Sequence, residues 1–334
     1  MTRVIIDAFG GDNAPLSVLE GALKAKELAD ITLVGDEQLL RQKAAEAGIP
    51  LTGIDLVHAP DVMPMEEEPR AILKAYKDSS MAVGLRLLAE GRGDAFISAG
   101  STGALLMGAT FLVKRIKGVS RPAIATLLPT AKGTPAMLMD AGANAECRPE
   151  MLLQFAQMGS VYYSRVLGGG KPATVGLVNI GTESHKGDPL RQETYALLKE
   201  SGLHFVGNVE AREVPYGAAD LLITDGFTGN VLLKTMEGSA GMLMKEIKGI
   251  FMQNLRTKIA GLLVKPYVKG LKARMDTREY GGAPVLGVQK PVIKAHGNSD
   301  GLAICNAVRV AAEFAEAGVI QAVSATLKGA EEDG

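Results

Sequence analysis

Asp225, Gly226, Thr228, Gly229 and Asn230 fall within six residues of "TDGFTGNVLLKTMEG" (224–238). They lie between an apolar run, Asp220-Leu-Leu-Ile-Thr, and a stretch of helix formers that begins at Val231. A buried strand that breaks on glycines and restarts as a helix leaves backbone N–H groups free at the helix start. Small hydroxyl and amide side chains beside those groups make an anion site in kind. The same arrangement recurs after four other strand-like segments: "DAFGGD" (7–12), "SAGSTGA" (98–104), "NIGTESHKG" (179–187) and "KAHGNS" (294–299). In each, glycine lets the backbone approach an anion closely. If the strands are all parallel, the five turns share one sheet edge, where open α/β folds bind their ligands. A single glycine turn is more simply a turn. Five of them, carrying Ser, Thr, Asn and Lys on one expected edge, point to a cleft that handles phosphate.

Lys186, beside Gly187 in one of these turns, is the best electrophilic group on that edge; a solvated surface lysine is the competing reading. Cys147 stands just before a helix whose dipole could lower its pKa, although a small buried residue at the start of a helix is the plainer reading. Cys305 reads as core. His58, His185, His204 and His296 show no paired metal spacing, so no metal is expected. There is no G-x-S-x-G elbow for a serine nucleophile. Nor is there a G-x-x-x-x-G-K-[ST] loop or a G-x-G-x-x-G turn after the first strand, which sets ATP and NAD aside and leaves no cofactor expected.

The elements that must position these groups alternate. Strands are expected at Val4-Ile-Ile-Asp, Ile31-Thr-Leu-Val, Ile54-Asp-Leu-Val and Ala95-Phe-Ile-Ser, near 123–128 and 136–140, at Thr174-Val-Gly-Leu-Val-Asn, at 219–224 and at about 291–294. Helices are expected from Pro15, over about 37–47 and 69–90, from Thr102 to about Arg115, over 149–166 and 190–200, and twice at the end. This rhythm predicts an α/β protein with a mostly parallel sheet. The stretch from about 231 to 279 breaks it. Leu243, Ile247, Ile250, Leu255 and Ile259 recur at helical spacing, Pro266 interrupts, and Tyr267, Leu271 and Met275 resume. The spacing predicts a two-helix projection with its tip near Leu262, Leu263 and Val264. Residues 245–274 hold eight Lys or Arg and one acid, Glu246.

The 334 residues are enough for one large unit with a real core. Charges nearly cancel, 36 basic against 37 acidic, so no global field recruits nucleic acid. Two cysteines exclude a disulfide framework and fit a reducing cytoplasm. The sequence enters a strand at once without a leader-like segment, and no run of ~18 apolar residues could span a bilayer.

Taken together and in order, "DAFGGDNAP", "SAGSTGA", "RPAIATLLPT", "DAGANAECRPE", "NIGTESHKG", "GNVEARE", "DGFTGNVLLKTMEG" and "KAHGNSDG" strongly resemble the acyl-acyl-carrier-protein:phosphate acyltransferase (PlsX) family. The match runs essentially end to end. The family's usual form has Met where this chain has Phe9 and Asn where it has Ser101; the second change bears on how phosphate is held. The resemblance implies a three-layer α/β/α sandwich similar to phosphotransacetylase and isocitrate dehydrogenase. Residues 1–334 would form one catalytic unit, two lobes around a cleft, with the helical projection at about 231–279.

The implied reaction moves a fatty acyl group from the thioester of acyl carrier protein to inorganic phosphate. The acyl phosphate then feeds a membrane glycerol-3-phosphate acyltransferase in phosphatidic acid and phospholipid synthesis. A cytosolic homodimer, peripherally associated with the inner face of the cell membrane, is implied as well. Family correspondence places the catalytic lysine at Lys186 and the catalytic asparagine at Asn230. The cradle for phosphate and thioester would be Gly100, Ser101, Thr102 and Gly103 with Asp225, Gly226, Thr228 and Gly229. Phosphate is itself a nucleophile, so no protein group need be acylated, which suits the missing elbow.

Two alternatives remain open on the sequence: a phosphotransacetylase-type enzyme using short acyl-CoA, and a non-enzymatic scaffold that binds phosphate or lipid. The basic projection argues against the first. Its Lys258, Lys265, Lys269, Lys272 and Arg274 could attract an acidic carrier protein. Leu262, Leu263 and Val264 could rest on an anionic bilayer, and packing into a dimer partner or acyl channel is the rival reading for them.

Overall fold

The computed structural model describes residues 1–274 and 280–332, and the last five residues of the expected projection lie outside that range. In chain order the elements are β1 (Arg3–Asp7), α1 (Leu16–Ala25), β2 (Asp30–Gly35), α2 (Glu37–Ala47), β3 (Ile54–His58), α3 (Ser80–Ala89), β4 (Ala95–Ser98) and α4 (Thr102–Gly108). They continue with β5 (Ala123–Leu128), β6 (Ala136–Met139), α5 (Pro149–Tyr162), β7 (Val175–Asn179), α6 (Pro189–Glu200), β8 (Phe205–Glu210) and β9 (Leu221–Ile223). The chain closes with α7 (Gly226–Phe251), α8 (Leu255–Arg274), β10 (Ala283–Leu286), β11 (Val292–Lys294), α9 (Gly301–Glu316) and α10 (Val319–Glu332).

The described strands form one eleven-stranded sheet in the order β3-β2-β1-β4-β11-β10-β5-β6-β9-β7-β8. Side chains alternate between its faces. Val4, Ile6, Ile97, Met137 and Ile223 join one core with α1, α5 and α9, while Ile5, Phe96, Leu138 and Leu222 join another with α3 and α4. Helices therefore cover both faces, which is the three-layer α/β/α arrangement with a mostly parallel sheet.

Parallel pairing is broken in the middle. β10 is antiparallel to both β11 and β5, and β5 is antiparallel to β6. β1, β4 and β11 run one way, and β6, β9 and β7 run the other. The expectation that all five glycine turns share one edge is therefore corrected. The turns at 7–12, 98–104 and 294–299 lie on one edge, and those at 179–187 and 225–230 lie on the opposite one.

Three helix boundaries also differ from expectation. α7 begins at Gly226 and not at Val231, because Asp225 accepts from the Thr228 N–H and draws the glycine turn into the helix. The stretch 69–90 splits into a short 3-10 turn, Pro69–Leu73, and α3, because the Ser79 hydroxyl accepts from the Ala82 N–H and starts a new helix. In the projection the turn falls at 252–254, which puts Leu262, Leu263 and Val264 inside α8 and not at its tip. The cause is a reciprocal cap: Asn254 Oδ1 accepts from the Thr257 N–H at 3.1 Å, and Thr257 Oγ1 accepts from the Asn254 N–H at 3.0 Å. α8 then runs through Pro266 without breaking. On this exposed helix water can serve the carbonyl whose helical donor the proline removes.

Candidate functional site

The edge that carries Lys186 and Asn230 is built on a buried carboxylate. Asp140, at the end of β6, accepts from the backbone N–H groups of Ile124 (3.2 Å), Gly142 (3.1 Å), Ala143 (2.9 Å) and Asn144 (2.7 Å), and from Asn144 Nδ2 (2.9 Å). Burial pushes its pKa up, and these donors pull against that shift. They fold 140–144 into a tight platform on which α7 begins. The Gly226 N–H donates to the Asn144 carbonyl at 2.7 Å, and a Cβ on Gly229 would lie 1.9 Å from the Asp140 carbonyl oxygen. Only glycine permits that approach. Gly142, with φ +137°, sits against the Asn230 side chain; a Cβ there would be 3.5 Å from Asn230 Cβ.

Asp225 caps α7 by accepting from the Thr228 N–H at 2.8 Å and from Thr228 Oγ1 at 2.8 Å. Asp188 caps α6 by accepting from the Arg191 N–H at 2.9 Å. The Arg191 guanidinium spans both caps. Nη1 meets Asp188 Oδ2 at 2.9 Å, and Nη2 binds Asp225 and also Thr228 Oγ1 at 2.9 Å.

The loop that carries Lys186 is pinned by three amides. Asn179 Nδ2 donates to the Lys186 carbonyl (3.1 Å), Asn208 Nδ2 to the Glu183 carbonyl (2.8 Å), and Gln192 Nε2 to the carbonyls of His185 (2.9 Å) and Gly187 (3.0 Å). Lys186 and Asn230 are themselves exposed. Among the described residues, neither the Lys186 ammonium nor the Asn230 amide has a protein partner. Ile180 (80% exposed) in the lysine loop and Phe227 (67%) and Val231 on the first turns of α7 give this edge an apolar rim.

Gly100, Ser101, Thr102 and Gly103 belong to the opposite edge, around a second buried carboxylate. Asp7 accepts from Ser80 Oγ and Ser98 Oγ, each at 2.6 Å, and burial raises its pKa. Ser98 Oγ accepts from the Gly100 N–H (3.0 Å), and the Asp12 N–H donates to the Gly297 carbonyl (2.7 Å). Lys294 Nζ donates to the Ala99 carbonyl at 3.1 Å. Burial lowers the Lys294 pKa to about 8; Asp7 and Asp12 oppose that shift and Lys234 adds to it. Lys234 lies one turn beyond Asn230, so the Asn230–Lys234 face of α7 leads from the lysine corner toward the 98–104 turn.

Cys147 is not an activated thiol. Its Sγ faces the Asn144 carbonyl at 3.6 Å, and burial, with Asp140 and Asp225 adding to it, pushes its pKa up to about 12. Sequence reasoning missed Asp140, Arg191 and Lys294. "DAGAN" carried a signal for the first, since Asp before a glycine turn commonly accepts from the backbone just ahead of it. Arg191 and Lys294 carried none, because an arginine on a polar helix and a lysine at a strand end look like surface residues. Among the described residues no cluster of His, Cys, Asp and Glu could hold a metal ion.

The family model described as fatty acid synthesis protein matches residues 2–322. A phosphate acyltransferase of Alkaliphilus oremlandii is 47% identical over 324 residues, covering 96% of this chain and 96% of that protein. One of Bacillus licheniformis is 46% identical over 315 residues, covering 93% and 94%. Among solved structures, the EutD phosphotransacetylase from Staphylococcus aureus shares the fold with a TM-score of 0.61 at 16% identity, covering 94% of each chain. A phosphotransacetylase from Streptococcus pyogenes does so with a TM-score of 0.62, also at 16% identity and 94% coverage of each.

Proposed function

The chain belongs to the fatty acid synthesis protein family and is an acyltransferase; we propose that it moves a fatty acyl group from the thioester of acyl carrier protein to inorganic phosphate. The observation that carries this reading is the pair Lys186 and Asn230. Among the described residues neither side chain has a protein partner; Lys186 lies on the loop that follows β7, Asn230 lies near the start of α7, and Arg191 joins the two segments. An ammonium draws phosphate in, and an amide donates to the oxyanion that forms as phosphate oxygen attacks the thioester carbonyl. Asp225 fixes the corner by accepting from the Thr228 N–H and hydroxyl. Because the Gly226 and Gly229 N–H groups already donate to the Asn144 and Asp225 carbonyls, the start of α7 contributes its dipole, and the donors to the anion are the Lys186 and Asn230 side chains.

Across the α7 face, Gly100, Ser101, Thr102 and Gly103 complete the cradle on the donor side. The two edges are then the two lobes of one cleft. Collapse of the tetrahedral intermediate breaks the C–S bond, leaving acyl phosphate and the carrier thiolate. The rim of Ile180, Phe227 and Val231 suits an acyl chain at the mouth. Neither a cofactor nor a metal enters this mechanism.

The acyl phosphate would supply a membrane glycerol-3-phosphate acyltransferase. No described helix is long and apolar enough to cross a membrane. The pair α7 and α8 exposes Leu255, Ile259, Leu262 and Leu263 among lysines, and we place there contact with an anionic bilayer at the inner face of the cell membrane, with packing in a homodimer as the rival occupant of the same surface. The test is to incubate the purified protein with acylated carrier protein and radiolabelled phosphate, with short acyl-CoA in a parallel arm, and follow transfer of the label into acyl phosphate. Acyl phosphate formed faster from the carrier protein supports the reading. Preference for short acyl-CoA, or no product from either donor, contradicts it.

A further inference from the structure

We propose that Arg191 is a positioning residue for the transfer: one guanidinium clamps the capping carboxylates of both α6 and α7, sets the separation of Lys186 and Asn230, and cancels negative charge that would otherwise face phosphate. The inference rests on the phosphate acyltransferase reading above. Lys186 is two residues before Asp188, and Asn230 is five after Asp225, so both groups ride on the caps that Arg191 joins. Its terminal nitrogens are engaged by Asp188, Asp225 and Thr228, and its side chain is only 13% exposed. Arg191 therefore serves protein groups and is not itself the phosphate ligand.

The clamp also reaches the lysine turn from below. Gly187, with φ +92°, leaves so little room that a Cβ there would come within 2.8 Å of Arg191 Cβ and 2.6 Å of Asn179 Oδ1. A planar fork can hold two carboxylates at once, whereas a lysine ammonium acts as a point charge and cannot span them in the same way. The charge balance points the same way. Asp188 and Asp225 bring two negative charges to an anion site, and Arg191 offsets one while fixing both.

The experiment uses the whole enzyme with acylated carrier protein and phosphate, comparing Arg191→Ala and Arg191→Lys in the wild-type and Lys186→Ala backgrounds. In the wild-type background Arg191→Ala should lower kcat/KM for phosphate roughly a hundredfold, the scale of a displaced reacting group, with KM for phosphate rising as kcat falls. Arg191→Lys should recover part of that loss. In the Lys186→Ala background the same change should cost about tenfold or less, because much of what the clamp positions is already gone. An equal factor in both backgrounds would mean that Arg191 only supports folding, and unchanged kinetics would mean that it does nothing here; either overturns the proposal. If Arg191→Ala does not fold, the Arg191→Lys comparison across the two backgrounds decides the question by the same criterion. Absence of acyl phosphate from the unmodified protein would remove the reaction and the proposal with it, which sets that failure apart from one confined to Arg191.

Discussion

Cys147 and Lys294 show how burial, with neighbouring charges adding to it or opposing it, can decide what a side chain does. With its pKa pushed up to about 12, the Cys147 thiol stays protonated at neutral pH and is no nucleophile. Cys147→Ala should therefore keep turnover within about twofold, and the intact mass of the wild-type protein should show no acyl adduct after exposure to acylated carrier protein without phosphate. An adduct of acyl mass on the cysteine would overturn direct attack by phosphate. Lys294 titrates at about 8 in the folded chain against 10.5 for an ordinary lysine. Between those values the unfolded chain binds more protons than the folded one, so stability contributed by this group rises with pH. Below pH 8 both states are protonated and the cost of burying the charge is fully present. The urea midpoint of the wild-type protein should thus gain on that of Lys294→Met from pH 8 to about 10.5; a constant difference across that range would contradict the burial argument.

Element boundaries were legible in the sequence where a side chain caps a helix and less so where tertiary context decides. Asp36, Asp188, Asp225 and Asp300 each accept from a backbone N–H in the first turn of the helix that follows; the starts after Asp36 and Asp188 were readable, whereas the glycines after Asp225 and Asp300 read as turns and hid the starts of α7 and α9. The projection was misjudged because Pro266 and the apolar run at 262–264 drew attention from the quieter Asn254–Thr257 box. Its surface still bears on function. Leu263 is 74% exposed and Leu262 nearly as open, so with the half-buried Val264 they lie along the side of α8, where the proposed bilayer contact would fall. Changing Leu262, Leu263 and Val264 together to Ser should abolish co-sedimentation with anionic liposomes and leave turnover in solution intact; unchanged sedimentation would remove the membrane role, and lost activity or dimer would favour packing instead. At the other end of the projection, α7 starts with Gly229 pressed on the Asp140 carbonyl. Gly229→Ala should cost about 1–3 kcal/mol in chemical denaturation, as overpacking does, and should lower turnover further by displacing Asn230. Wild-type stability in that variant would mean that α7 is seated differently.

At the scale of the whole molecule, alternating strands and helices announced the α/β class, but strand direction was hidden. β5, β6 and β11 read locally like any other buried strands, β8 and β10 went unread amid their glycines and proline, and only the pairing of β5, β6, β10 and β11 reverses the sheet and sends the glycine turns to two edges. Periodicity reports which face a residue takes and says nothing about which neighbour a strand chooses. Charge also acts at this scale. A chain of net charge −1 gains little from long-range attraction to the acidic carrier protein proposed as acyl donor, so we propose that a local field from Lys258, Lys265, Lys269 and their neighbours supplies it. The apparent affinity for acylated carrier protein should fall as salt rises, with screening over ~8–10 Å; an affinity unchanged by salt would exclude electrostatic docking there. The most direct test of the site itself is acyl phosphate formation by Lys186→Ala and Asn230→Ala, measured beside their melting temperatures. Each should turn over roughly a hundredfold more slowly than the wild type, the scale of one lost oxyanion donor, and melt at the same temperature. Near wild-type turnover in both variants, with melting unchanged, would show that the transfer takes place elsewhere.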